Sequence, residues 1–153
     1  MTALAPHAFA VAGLPAVDGA AIPHVDAVTG TPRRWLRLEG LAMFAAAVGV
    51  FLINGGAWWA LVPLLLAVDI SAVGYLAGPR VGAFTYNLAH TWIIGIAVLA
   101  LGAAVSSGPL LVAGAVLVAH VGMDRLAGYG LKYPSAFGDT HLGRIGGNGR
   151  NAR

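Results

Sequence analysis

Four long apolar stretches, parted by short breaks rich in glycine, proline and serine, constrain this chain more than anything else in it. A helix needs about 20 mostly apolar residues to cross the hydrocarbon of a bilayer. Leu36 to Ile53, Ala57 to Ala77, Gly82 to Val105 and Pro109 to Ala127 each come close to that length or exceed it. Asn54-Gly55-Gly56, Gly78-Pro79-Arg80 and Ser106-Ser107-Gly108-Pro109 separate them. Glycine breaks a helix through its backbone freedom and proline through its missing N–H. Connections this short make neighbouring helices antiparallel. Composition agrees: 58% of the residues are hydrophobic and 10% charged, against about 25% charged in a soluble domain. A surface so poor in charge faces lipid. The expected fold is all-α, a four-transmembrane-helix antiparallel bundle. Residues 1–35 read as a weakly structured N-terminal tail, 36–127 as the membrane domain and 128–153 as a C-terminal segment.

The basic residues orient the bundle. Arg33, Arg34 and Arg37 stand at the start of the first stretch, and Arg80 lies between the second and third. Arg125, Lys132, Arg144, Arg150 and Arg153 lie at or beyond the end of the fourth, while the first and third connections carry no charge. Lys and Arg are retained on the cytoplasmic side, so both termini are expected there. Trp58 and Trp59 then belong to the outer interface and Trp35 to the inner one. This anchoring role accounts for the pI near 9.8, and no nucleic-acid partner is implied. Cysteine is absent, which removes disulfides, thiolate metal sites, iron–sulfur clusters and cysteine nucleophiles. Met1 to Pro32 lacks the basic start and long apolar core of a signal peptide, and His7 and His24 in it read as solvated. Ala45 with Gly49, and Gly95 with Gly102, are small-residue pairs that would let helices approach closely.

Ionisable groups inside a membrane are costly unless paired and therefore point to function. Glu39, Asp69, His90, His120 and Asp124 are such groups. Counting from the span ends at 1.5 Å per residue puts Asp69, His90 and His120 about 10–12 Å inside the cytoplasmic boundary, Asp124 one turn shallower and Glu39 about 5 Å in. Asn87, His90 and Thr91 fall at i, i+3 and i+4, one helix face. His120 and Asp124 fall at i and i+4, the spacing by which a helix offers two ligands to one metal ion. Imidazoles and carboxylates without thiols suit Zn²⁺ or another divalent transition metal. On this reading His90, His120 and Asp124 hold the metal. Asp69 is the general base or an outer partner, and Glu39 an alternative ligand or catalytic group. The structural alternative is a buried His–Asp pair that only holds the bundle together, with Asn87 and Thr91 as interhelical hydrogen-bonding groups. Arg125 reads as a snorkelling anchor. The stretch after it is too rich in glycine for a helix and too aromatic for a loose tail. It reads as a lid that brings Asp139 and His141 to the inner mouth, or else as an interfacial tail held by Tyr129, Tyr133 and Phe137.

Several of these segments together resemble a known family. His120-Val121-Gly122-Met123-Asp124-Arg125, Gly128-Tyr129-Gly130-Leu131-Lys132-Tyr133 and Thr140-His141-Leu142-Gly143 are similar to domain-of-unknown-function family 4260. So are Leu36-Arg37-Leu38-Glu39-Gly40 and Tyr86-Asn87-Leu88-Ala89-His90. The resemblance covers Leu36 to Ile145. It implies a small four-helix protein of the bacterial cytoplasmic (inner) membrane and no established activity. The intramembrane Ser, Asp and His pattern is also distantly similar to the alkaline ceramidase and adiponectin-receptor superfamily of membrane hydrolases. Those proteins have seven spans, and their late span carries two histidines where this chain has His120 and Asp124.

Three functions fit these residues. The first is a metal-dependent hydrolase of a lipid or other amphipathic substrate at the inner leaflet. The second is a redox carrier in which His90 and His120 are axial ligands of a haem b, against which the nearby carboxylates argue. The third is a non-catalytic accessory subunit of a membrane complex or a proton-relay protein, with the cluster serving packing. The partners expected are membrane lipid and a homo-oligomer or membrane complex.

Overall fold

The computed structural model describes residues 27–145. His7, His24, Arg150, Arg153 and most of the N-terminal segment lie outside the described residues. Four helical spans are long and apolar enough to cross a membrane, Gly30–Ile53, Trp58–Ala77, Pro79–Ala104 and Gly108–Ala127. The chain is a multi-pass membrane protein with an all-α bundle.

The first span is one helix, α1 (Gly30–Ile53). It starts at Gly30 rather than Leu36, so Arg33, Arg34 and Arg37 lie within it. Arg37 Nε donates to the Leu126 carbonyl at 2.7 Å, taking up an acceptor that the end of the fourth span leaves free. The second span is composite. A 3-10 turn (Trp58–Ala60) leads into α2 (Leu61–Val68), and a second 3-10 segment (Asp69–Ala77) completes it. Asp69 stands at the join.

The third span departs most from expectation. In place of one helix from Gly82 to Val105 there are two, α3 (Pro79–Ala89) and α4 (Trp92–Ala104). Thr91 is extended, with φ −96° and ψ 145°, and its hydroxyl accepts from the Ile93 N–H at 3.5 Å. Threonine is a good helix N-cap because its short side chain can satisfy a free N–H of the first turn. The break divides the expected Asn87, His90 and Thr91 face. Thr91 caps α4, and Asn87 exchanges two hydrogen bonds with the Lys132 backbone, at 2.9 and 2.7 Å.

The fourth span, α5 (Gly108–Ala127), is the centre of the bundle. It packs most extensively on α1 and next on α4, while α3 packs mainly on the Asp69–Ala77 segment. The α1–α5 crossing needs glycine on both sides. A Cβ at Gly122 would stand 2.7 Å from the Phe44 nitrogen, and one at Gly40 2.8 Å from the Gly122 carbonyl oxygen. Gly95 and Gly102 do face α5, since a Cβ on them would meet Val118 and Leu111 at 2.8 Å. The Ala45–Gly49 pair is not such a face: Ala45 is exposed and a Cβ on Gly49 would meet nothing within 4 Å.

Gly128 ends α5 with φ +94°, and the Gly128 and Tyr129 N–H groups both donate to the Asp124 carbonyl, at 2.9 and 2.7 Å. A positive φ is easy for glycine because it has no Cβ. The chain then folds back against the end of the bundle. Strands β1 (Asp139–Thr140) and β2 (Gly143–Arg144) pair antiparallel, with Asp139 opposite Arg144. Val28 N–H donates to the His141 carbonyl at 3.3 Å, joining this segment to the start of α1.

Candidate metal centre

Three helical segments bring four of the expected side chains to one point. His120 and Asp124 come from α5, one turn apart on one face. His90 is the residue at which the third span breaks, and Asp69 is the residue at which α2 gives way to its 3-10 continuation. His90 and His120 are fully buried. Their Nε2 atoms are 2.9 Å apart. Asp69 Oδ1 is 3.3 Å from the His90 nitrogen and 3.6 Å from that of His120. Asp124 Oδ2 lies 3.8 and 3.7 Å from the same two atoms.

Asp69, His90 and His120 each offer one ligand atom within 4.8 Å of the others, so this trio can hold a metal ion. Asp69, expected as a general base or outer partner, thus stands with His90 and His120 as a carboxylate that could ligate. Ligands about 2.0–2.1 Å from a tetrahedral zinc are about 3.3 Å from one another, near the middle of the separations observed.

His90 has a definite tautomer. Its Nδ1 is 2.8 Å from the Tyr86 carbonyl oxygen, which only accepts, so Nδ1 carries a proton, and in the neutral ring Nε2 presents the lone pair. This backbone bond is of the kind that orients a ligating imidazole. Two imidazole nitrogens 2.9 Å apart need one proton or one cation between them. His120 Nδ1 is buried without a hydrogen-bond partner among the described residues.

The break at His90 frees its carbonyl, and Arg125 takes it up. Arg125 Nη2 donates to the His90 carbonyl at 3.3 Å and Nη1 to that of Tyr129 at 2.7 Å. Arg125 is 7% exposed, so it is a buried brace and not the snorkelling anchor that its place at a span end suggests. Tyr86 also escaped the sequence reading as part of the site. Its ring stacks on His90 at 3.6 Å between centroids, and its hydroxyl donates to Asp124 Oδ2 at 3.1 Å. The available signal was spacing, since Tyr86 and His90 are i and i+4. Lys132, read as a tail residue, is buried, with its ammonium 4.9 Å from the centre of the Tyr86 ring and its Nζ–H donated to the Phe137 carbonyl at 2.9 Å. Burial lowers its pKa, against an upward pull from Asp124 and Asp69.

The other expected site residues lie apart. Glu39 is exposed on α1 and joins no ion pair among the described residues. Asp139 accepts from the Ser135 hydroxyl at 2.8 Å and pairs with Arg144 at 3.4 Å. His141 Nδ1 accepts from the Leu131 N–H at 2.9 Å. Burial lowers the His141 pKa, and Arg125 lowers it further. Asp139 and His141 thus find these partners inside the C-terminal segment.

No curated protein and no solved structure matches the chain. One family model does, that of "Domain of unknown function (DUF4260)", over residues 33–145, from the first turn of α1 to the end of the hairpin. The chain belongs to that family.

Proposed function

We propose that this protein is a metal-dependent membrane hydrolase acting on a lipid or other amphipathic substrate. The observation that carries the reading is the Nε2 pair of His90 and His120, 2.9 Å apart, with the Asp69 carboxylate within 3.6 Å of both. Two imidazoles and a carboxylate favour zinc or a similar divalent ion. When bound, such an ion supplies Lewis-acid polarisation and activation of water. The protein's own part is ligation by His90, His120 and Asp69, with Asp124 as proton acceptor. Tyr86 fixes the Asp124 carboxylate through its hydroxyl, and the side chain of Asp69 is half exposed, which leaves the trio approachable from one side.

The haem reading is less well supported. Axial ligands stand on opposite faces of the macrocycle, and nitrogens 2.9 Å apart leave no space for it. The proposed orientation has both ends in the cytoplasm of a bacterial cell, supported by the charge asymmetry across the spans. Terminal tags that react with an impermeant reagent added to intact cells would rule it out.

The deciding experiment is metal stoichiometry with thermal melting, on protein purified without chelator. Wild type is expected to hold close to one ion per chain, and His120→Ala almost none while still assembling, because metal binding needs the full ligand set. If wild type stays metal-free even after incubation with zinc, and both His120→Ala and Asp124→Asn melt early, the cluster only holds the bundle together.

A further inference from the structure

An apolar groove of about 430 Å³ runs along α5, lined by Leu64, Pro109, Val112, Ala113, Val116 and Leu117. Its relation to the metal centre follows from helix periodicity. Pro109, Ala113, Val116 and Leu117 fall on one stripe of a 3.6-residue helix, and the same stripe continues through His120 and Asp124. The groove floor and the site are therefore one face of α5, about 16 Å long from Pro109 to His120. Neighbouring faces are taken by other helices. A Cβ at Gly122 would meet Phe44 of α1, and one at Gly114 would meet Leu99 of α4.

The third span covers this stripe mainly at the polar end, α4 touching only its edge at Leu117. Tyr86 and His90 reach Asp124 and His120. Beyond the break at Thr91, α4 packs on the adjacent face that carries Gly114 and Val118. The broken span thus covers His120 and Asp124 at the polar end and leaves the groove open beside them.

We infer that the groove holds one acyl chain of a membrane lipid, with the polar linkage at the end of that chain against Asp69, His90 and His120. The polarity profile selects this occupant. The floor is apolar for about 12 Å and ends on buried imidazoles and a half-exposed carboxylate. An apolar helix from a second copy would cover the carboxylate without satisfying it, at a cost that membrane depth makes large. A lipid brings both an apolar chain and a polar linkage. The inference deepens the hydrolase reading and rests on it for the chemistry at the polar end, while the groove stands independently.

The test uses the full chain in vesicles of phosphatidylcholine carrying a diazirine on one acyl chain. Photolysis is expected to label Leu64, Ala113 and Leu117 well above Ile93 and Val105, which are exposed apolar residues on and beside α4. Ala113→Trp fills the groove and should lower that labelling about tenfold, equivalent to about 1.4 kcal/mol of affinity, with Ala113→Leu intermediate. Ala113 is exposed, so both variants should keep the metal content and melting temperature of wild type. Even labelling around the bundle would overturn the inference. So would an oxidative cross-link between copies of Ala113→Cys, a clean probe because the chain has no other cysteine. Groove labelling in a protein that binds no metal would sink the hydrolase reading and leave the groove assignment intact. Metal binding with even labelling would do the reverse.

Discussion

The fourth and second spans are equally long and similarly apolar, yet the bundle uses them differently. Of the apolar window of Gly108–Ala127, 56% is buried, against 6% of that of Trp58–Ala77. The fourth span is both keystone and carrier of half the clustered side chains: α1 and α4 pack on it, and His120 and Asp124 project from its remaining face. The second span has little burial and seats mainly against α3 rather than α5, but it supplies Asp69 at the point where α-helix becomes 3-10 helix. A site can therefore draw one side chain from an element that buries little of itself. Changes at the glycine crossing of α5 should disturb the packing on which the site stands, whereas changes at Asp69 should disturb chemistry alone.

The largest effect is expected at the α1–α5 crossing. Gly122→Leu places side-chain atoms where the Phe44 backbone and the Gly40 carbonyl already stand, and overpacking of this kind costs about 3 kcal/mol. Loss of the monodisperse folded species in detergent, read by size exclusion and melting, would bear this out. A Gly122→Leu protein that melts like wild type would show that α5 is not the keystone. Asp69→Asn is the sharpening experiment. It should weaken zinc binding by about 100-fold, at or beyond the upper end of what outer-shell substitutions cost, while the melting temperature of the metal-free protein holds or rises. A drop in that melting temperature would mean that the second span carries more of the fold than its exposure indicates.

The smallest effect concerns the C-terminal segment and leaves both spans untouched. His141 has a lowered pKa in the folded state, through burial and the Arg125 charge. The unfolded segment then takes up a proton more readily, near the ordinary histidine value of about 6.5. The stabilising contribution of neutral His141 is present above that value and is lost as pH falls below it. Protection of the Leu131 amide, which donates to His141 Nδ1, should fall between about pH 7 and about pH 5. His141→Gln should abolish the pH dependence. Protection independent of pH in the unmodified chain would remove His141 as the cause.

Much of this was legible in advance because hydrophobic length and charge placement are local properties. The four spans, their short connections and the common depth of Asp69, His90 and His120 all follow from counting residues. The pairing of His120 with Asp124 follows from the helical period. Tyr86, Arg125 and Lys132 were harder to place. Each has a respectable surface reading: interfacial aromatic, snorkelling cation, tail cation. The buried roles of Arg125 and Tyr86 depend on partners 35 or more residues away, the His90 carbonyl for Arg125 and Asp124 for Tyr86, and Lys132 lies against the distant Tyr86 ring.

What the sequence determined by itself is the solvent and the inventory. A chain this apolar must place four helices in lipid, because a backbone without water must bond to itself, and ionisable side chains carried deep into the bundle are then costly unless they find one another. Only the tertiary structure decided which ones converge at one point and which ones brace. The break at His90–Thr91 cannot be read from an apolar run, since Thr91 is tolerable inside a helix and becomes a cap only if the freed His90 carbonyl has a buried donor waiting. Arg125 is that donor. The same break turns His90 toward His120 and Asp69 and sets α4 beside the apolar groove, because a helix restarted at a cap can leave in a direction that a continuous one cannot.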